Sequence, residues 1–482
     1  MGGFAQNGTV TAQADGSFAF GDNVAANNVN GSRSIAFGYG SRANATASMA
    51  VNAGQTSGDY SFAANASVAS GAQAFAINSG TASGVNSFAG GYAANFAITS
   101  AGAGSMAFGY ANNGAITANG IGSFAGGNQS STGANAPYSI AYGYGASTGT
   151  NAAAAAAFNN GTATGIDAFA INCGTASGTH SFAGGYCTNP ITAAGQGSFA
   201  SGFSQNGAVT ANADGSFAFG DNVQANNVSG SRSVAFGYGS RANATASMAV
   251  NAGQTSGDYS FAANQATASG TGASAFGSTL VNSSGAYSLA GGYAQSAISA
   301  TNNGSLAFGR SVGYTISATG EGSFAIGASR DGAILASGLG SFAGGTNSTA
   351  SNEFAIAFGT GTQATGAYSA AFNNSIASNT GAFAIGTATS SGQYSFAGGS
   401  NGTQAYALDS FAFGYNAKAN NINGLAATAF GRDTTANGNY SFATGYTAAA
   451  SGEASVALNY SSASGTGATS LGSQLVTSSG AY

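Results

Sequence analysis

Cys173, His180 and Cys187 are the residues of this chain best suited to chemistry, and they lie close together, with fourteen positions between the two cysteines. A structural zinc site wants four ligands at close spacings, and here there are three, with His180 the single histidine. The cysteines alone could form a disulfide, provided that fourteen residues of chain return to nearly the same place. A serine nucleophile is suggested once, by Gly-x-Ser-x-Gly at Gly398 to Gly402, but no helix pattern follows it and no second histidine exists to serve it. Asp15, Asp22, Asp59 and Asp214 invite comparison with calcium-binding repeat rolls. Those rolls need Gly-Gly-x-Gly-x-Asp, and the Phe-Ala-Gly-Gly segments here are followed by no aspartate. We read Asp15 with Arg33, and Asp214 with Arg232, as surface ion pairs of small energetic worth. No phosphate-binding loop is present, and the sole lysine is Lys418. Sequons occur at Asn7, Asn30, Asn44, Asn65, Asn128, Asn160 and Asn227, as a chain rich in Asn, Ser and Thr produces by chance. No catalytic constellation emerges, so the chain reads as a non-enzyme without a cofactor or metal.

What could position these residues is set by an unusual composition. Glycine supplies 80 of 482 residues and proline 2, while 4% are charged and the net charge is −5. So few charges cannot clothe an ordinary globular surface. Disorder fits poorly as well, because 11% of the chain is aromatic. The absence of any basic run excludes nucleic acid as a partner. No apolar stretch is long enough to insert in a membrane as a helix. Met1 to Ala5 has neither a basic nor an apolar leader segment, so an export signal is expected outside this chain.

The organising element is a tetrapeptide, Ser-Φ-Ala-Φ, usually followed by Gly, that recurs from end to end. Copies begin at Ser17, Ser34, Ser48, Ser61, Ser87, Ser105 and Ser123, and again at Ser216, Ser323 and Ser441. Spacings cluster at about 13 to 14 and about 17 to 18 residues. Period-two alternation makes the tetrapeptide a strand, and a weaker segment such as Thr81 to Gly84 makes a second, ending at a glycine that we read, like the others, as a turn residue. Some thirty such two-strand rungs, stacked in parallel over residues 1–482, give an all-β solenoid in a single continuous array. Cys173 and Cys187 then stand one rung apart, and we expect a disulfide and an oxidising compartment. The other reading is two small buried residues or free thiols.

Both faces of the strong strand look buried. Ser and Ala suit a thin interior, and the bulky residues, among them Phe18, Phe20, Ile35, Phe37, Phe62, Phe182, Phe217 and Phe219, then form an apolar ladder outside. Such a stripe marks an interaction surface, and we infer self-association through it. The alternative places the bulky side inside a wider coil and Ser/Ala outside. Larger duplications overlie the rung: Ala14 to Asn65 recurs as Ala213 to Asn264 with three changes, and Ala74 to Ala93 is related to Ala168 to Cys187. Ala463 to Tyr482 match Ala268 to Tyr287 at most positions, and Gly2 to Gln6 match Gly291 to Gln295 apart from Phe4. Head-to-tail stacking, or a window cut from a longer repeat, would each account for that.

The rung resembles the head repeats of the trimeric autotransporter adhesins of bacteria, as in Gly31 to Val51 and Gly322 to Ala333. The resemblance implies a left-handed parallel β-roll, three chains packed side by side, an extracellular or cell-surface location and attachment to a host or abiotic surface. It would supply the Phe ladder with its partner, the same ladder on two other chains. Two further functions stay open. One is a structural filament that stacks head to tail. The other is an ice-binding solenoid, suggested by the recurring Thr of the weak strand and opposed by irregular rung length.

Overall fold

The computed structural model describes the chain except residues 1–4, 7, 28–31, 227–230, 422–423, 473–475 and 482. Contacts divide it into two compact units, Met1–Ala246 and Ser247–Tyr482. In each unit, strong and weak strands alternate along the chain, and no helix occurs among the described residues. Each strong strand pairs in parallel with the strong strand of the next rung, as do the weak strands. In the first unit Phe75, Ala76 and Ile77 lie against Phe88, Ala89 and Gly90, while Thr81 and Ala82 lie against Thr99 and Ser100. In the second unit Phe324 and Ala325 face Phe342 and Ala343, and Ile298 faces Ile316. The architecture is the all-β parallel solenoid that the tetrapeptide predicts.

The interior decides which face is which. Ala19, Ala36, Ala50, Ala63 and Ala76, the alanines of successive tetrapeptides, are all 0% exposed, whereas Phe18 keeps 47% of its surface open. Small residues therefore point inward and the bulky ones outward, which excludes the wider, Phe-filled coil. Two short strands enclose a space so thin that a methyl group from one sheet meets an alanine or, at most, an isoleucine from the other. Ile98, Ile116 and Ile191 in the first unit, and Ile298, Ile316 and Ile334 in the second, are the largest side chains in it.

The serine that opens each tetrapeptide is a turn anchor. Ser87 Oγ donates to the Gly84 carbonyl at 2.7 Å, Ser181 Oγ to Gly178 at 2.6 Å, and Ser323 Oγ to Gly320 at 2.7 Å. In these rungs a Gly-x-x-Ser turn joins the weak strand to the strong strand after it and satisfies the buried hydroxyl, whereas the buried hydroxyls of Ser198, Ser341 and Ser441, in turns of the same sequence, have no partner among the described residues. The turn glycine is needed for close approach: a Cβ on Gly84 would lie 2.1 Å from the Gly102 carbonyl oxygen.

Most variation in rung length falls in the other turn, although the turn into the strong strand also lengthens, as between Thr132 and Ile140 or Thr148 and Ala156. A short rung has a three-residue strand, such as Met49–Val51, and then two residues in the left-handed region, Asn52 at φ 47° and Ala53 at φ 61°. A long rung extends the strand to five or six residues, such as Phe88–Tyr92, before a wider turn leads into Ile98–Ser100. The ladders on both sides stay in register throughout.

An interior this thin has no slack for added volume. Ala200→Leu should therefore destabilise the first unit by about 1–3 kcal/mol, whereas Thr192→Ala on the outer side of the weak sheet should cost less than about 1 kcal/mol. Chemical unfolding followed by circular dichroism reads both.

Candidate interaction surface

Outward side chains of the strong sheet form two columns, from the first and third residues after each motif serine. Phe62, Phe75 and Phe88 follow one another in the first column, with ring centroids 4.7 and 5.5 Å apart. Phe182, Phe199 and Phe217 repeat the arrangement at 4.8 Å each. In the second unit Phe383, Phe396 and Phe411 do the same at 5.2 and 4.9 Å. The stacking is offset and nearly parallel, as strand spacing dictates for identical rings on successive strands. The eight ladder residues singled out from sequence all lie on this face. Phe18, Phe20, Phe37 and Phe219 are exposed, and Ile35, Phe62, Phe182 and Phe217 are half-buried by their neighbours. Phe18 pairs with Ile35, and Phe20 with Phe37. Phe62 and Phe182 stand on other rungs of the same column.

The second column contains gaps that the sequence reading missed. The first glycine of each Phe-Ala-Gly-Gly segment is a strand residue and not, as expected, a turn. So is Gly291 of the equivalent Leu-Ala-Gly-Gly, which lies between Phe276 and Phe308 on the adjacent rungs, where a Cβ would meet ring carbons of those residues at 2.6 and 2.7 Å. Gly344 receives Phe358 from the adjacent rung and Phe342 from its own strand, and Gly398 receives Phe413 and Phe396 likewise. Rings lean into the glycine gaps, so part of the apolar face is already packed within the chain. The sequence signal was the phase of the motif, which puts that glycine where Phe or Ile stands in other rungs.

On the weak sheet the outward column carries hydroxyls. From Thr81 to Thr210, nine successive rungs present Thr or Ser at the same register position. Irregular rung length was expected to spoil such regularity. It does not, because the turns absorb the extra residues and the weak strands stay paired in register.

The chemical candidates are scattered over the surface. Cys173 and Cys187 come together at one turn, with Cα atoms 6.5 Å apart and the sulfurs in bonding contact. His180 is at the other turn of its rung, where its Nε2 lies 3.4 Å from Asp167 Oδ2 in an exposed pair. Among the described residues, no three of His, Cys, Asp and Glu gather as metal ligands would. Asp15 and Arg33 are neighbours, but through the backbone: the Arg33 N–H donates to the Asp15 carbonyl at 2.9 Å, and Arg232 to Asp214 at 2.8 Å. Neither expected ion pair forms, and each arginine sits in a left-handed turn, at φ 69° and 66°. Arg432 finds Asp433 at 3.4 Å and the rings of Tyr415 and Tyr446 at 5.2 and 5.3 Å. Ser400 ends the strand Phe396–Ser400 on the surface. The sequons at Asn7, Asn30 and Asn227, and the terminal residues Gly2 to Phe4 and Tyr482, lie outside the described residues.

The family model of the YadA head domain repeat (two copies) matches residues 30–51, 229–250, 336–362, 350–372, 405–426, 423–448 and 436–458. Together these segments make up about a quarter of the chain. They bear out the resemblance to adhesin head repeats, and the chain is a β-solenoid carrying repeats of that kind. No curated protein matches it.

The glycine gaps yield a direct check. Gly291→Ala should push the Phe276 and Phe308 rings outward at a cost of about 1–3 kcal/mol. Ring-proton shifts of those two residues and the unfolding midpoint should change together.

Proposed function

We propose that this chain is the head segment of an extracellular, surface-displayed adhesin and acts as a homotrimer, its three solenoids packed side by side through their ring columns into a stiff rod. The observation that carries this reading is the outward ring ladder on a chain whose repeats match an adhesin head. Exposed apolar stripes on this scale favour burial against a partner, and identical chains offer identical ladders. The same rung in both units supports reading residues 1–482 as one continuous array. Attachment would come from many weak contacts repeated along the rod. No catalytic step, cofactor or nucleic acid enters this function. A bond between Cys173 and Cys187 belongs to the reading, since it suits an oxidising exterior.

The hydroxyl column from Thr81 to Thr210 favours ice binding as a second reading, because its spacing is set by strand pairing and stays constant over nine rungs. Thermal hysteresis measured on the purified protein decides it, and its absence removes that reading.

Electron microscopy and mass measurement at several concentrations test the first reading. Rods of one length and three-chain mass are expected; rods that lengthen with concentration would make a head-to-tail filament the function instead. The double variant Phe62→Asp and Phe182→Asp should fall to monomer mass and melt earlier, and an unchanged particle would remove the ring face as the interface. Reduction of the Cys173–Cys187 bond should lower stability by about 3 kcal/mol, as expected for a loop of that length, with non-reducing peptide mapping to establish the pairing.

A further inference from the structure

Where a short rung is followed by a long one, the turn beneath is narrower than the turn above, and the surface acquires a notch. Two such notches in the first unit share the same residues, and a related one in the second unit has the Ser274–Gly277 rung between its asparagines and its tyrosine. In the first unit, Asn65, Asn78 and Tyr92 line a notch of about 570 Å³. Asn159, Asn172 and Tyr186 line a second of about 410 Å³. In the second unit, Asn251, Asn264 and Tyr293 line one of about 510 Å³.

The cause is backbone geometry. On the short rungs the asparagine opens a turn of two left-handed residues, as at Asn78 and Ser79 with φ 51° and 66°, or Asn172 and Cys173 with φ 45° and 61°. On the long rung the strand runs on through Gly-Gly to the tyrosine. In the two notches of the first unit that ring has a ring above and none below, and Tyr293 has Arg310 above it. Tyr92 stacks on Tyr110 at 5.5 Å with planes 8° apart, and Tyr186 on Phe203 at 4.9 Å and 11°. Tyr92, Tyr186 and Tyr293 remain 66%, 62% and 52% exposed. Below the first ring, amide side chains form a directed ladder. Asn52 Nδ2 donates to Asn65 Oδ1 at 3.4 Å, and Asn65 Nδ2 to Asn78 Oδ1 at 2.9 Å. Among the described residues, the Nδ2 groups of Asn78 and Asn172 donate to no partner, so each notch in the first unit has a bare ring face beside an unused amide donor.

A planar apolar face next to amide donors and acceptors complements one chemical class. A gluco-configured pyranose carries its hydroxyls around the rim and axial C–H groups on its faces, so a face can lie on the ring while the rim hydroxyls meet the amides. We propose that the three notches are carbohydrate subsites for β-linked gluco-configured oligosaccharides, with the tyrosine as platform and the asparagines as rim partners. Tyr92 and Tyr186 stand six rungs apart on one ladder, roughly 29 Å at the inter-strand spacing. One extended glycan chain or several short ones can therefore engage more than one notch, with a gain from multivalency.

Titration of the full chain with cellohexaose and chitohexaose, by calorimetry and saturation-transfer NMR, tests this. Binding is expected with at least one of the two. It should weaken roughly tenfold for each of Tyr92→Ala, Tyr186→Ala and Tyr293→Ala when that notch is read by its own NMR signals. Tyr→Phe at the same sites should retain most of it. Tyr186→Trp enlarges the platform and should tighten binding while adding a fluorophore that reports it, which keeps the test open if an alanine variant misfolds. No binding of either sugar at millimolar concentration, or alanine variants that bind as well as the parent with native circular dichroism, would overturn the proposal. Particle mass is measured alongside: loss of sugar binding at unchanged mass separates this site from the ring-face interface.

Discussion

The thinness of the coil interior governs the rest of the molecule. Two strands of three to six residues, joined by tight turns, enclose room for methyl groups and for one isoleucine per long rung. Any larger side chain on the strong strand must face outward, so the alternation of Ala with Phe, Ile or Met is a sorting by size as much as by polarity. Hydrophobicity alone would have put phenylalanine inside. Volume overrules it, because forcing a ring into a close-packed alanine layer costs more than leaving it half exposed. The consequence is a protein with a proper interior that still presents rows of aromatic rings to its surroundings.

A second consequence follows from holding both ladders in register. Strand pairing fixes the rise per rung, so a rung that gains residues can place them only in a turn, and the Gly-x-x-Ser turn is closed by its own hydroxyl and by glycines pressed against carbonyls of the next rung. The turn after the strong strand is the one that widens most often. The outer faces are thereby regular columns whatever the rung length, and most of the irregularity falls on one edge. That edge carries the asparagine turns, Tyr92, Tyr186 and Tyr293, and the single pair of cysteines. Structure is carried by the regular faces, and individuality by the edge.

Much of this was legible in the sequence because the interior leaves so little choice. The period-two tetrapeptide identified the strand, its spacing gave the rung, and the size of Ala and Ser pointed them inward. The remainder depends on partners that belong to neighbouring rungs. Gly291 reads as a turn residue until Phe276 and Phe308 are placed on either side of it. Asp15 and Arg33 look like an ion pair until the arginine's left-handed backbone commits its amide to the aspartate carbonyl. The hydroxyl column was hidden by uneven spacing along the chain, which disappears once the extra residues are assigned to the turns. The notch asparagines gave no signal, since asparagine is common throughout and only the order of short and long rungs distinguishes them.

Contacts between adjacent rungs also explain how such a chain can be copied without losing its fold. Each rung touches only its neighbours, so a block of whole rungs carries its own packing and is strained only at its two seams. The segment duplicated at Ala14 to Asn65 and Ala213 to Asn264 illustrates it. Met49 lies against Phe62 in one unit, and Met248 against Phe261 in the other, with Ala50 on Ala63 and Ala249 on Ala262 beneath them. Copying by blocks multiplies surface columns together with the interior that supports them. A surface that grows in this manner gains strength by repetition and not by refining any one contact, which is the property that attachment through many weak interactions requires.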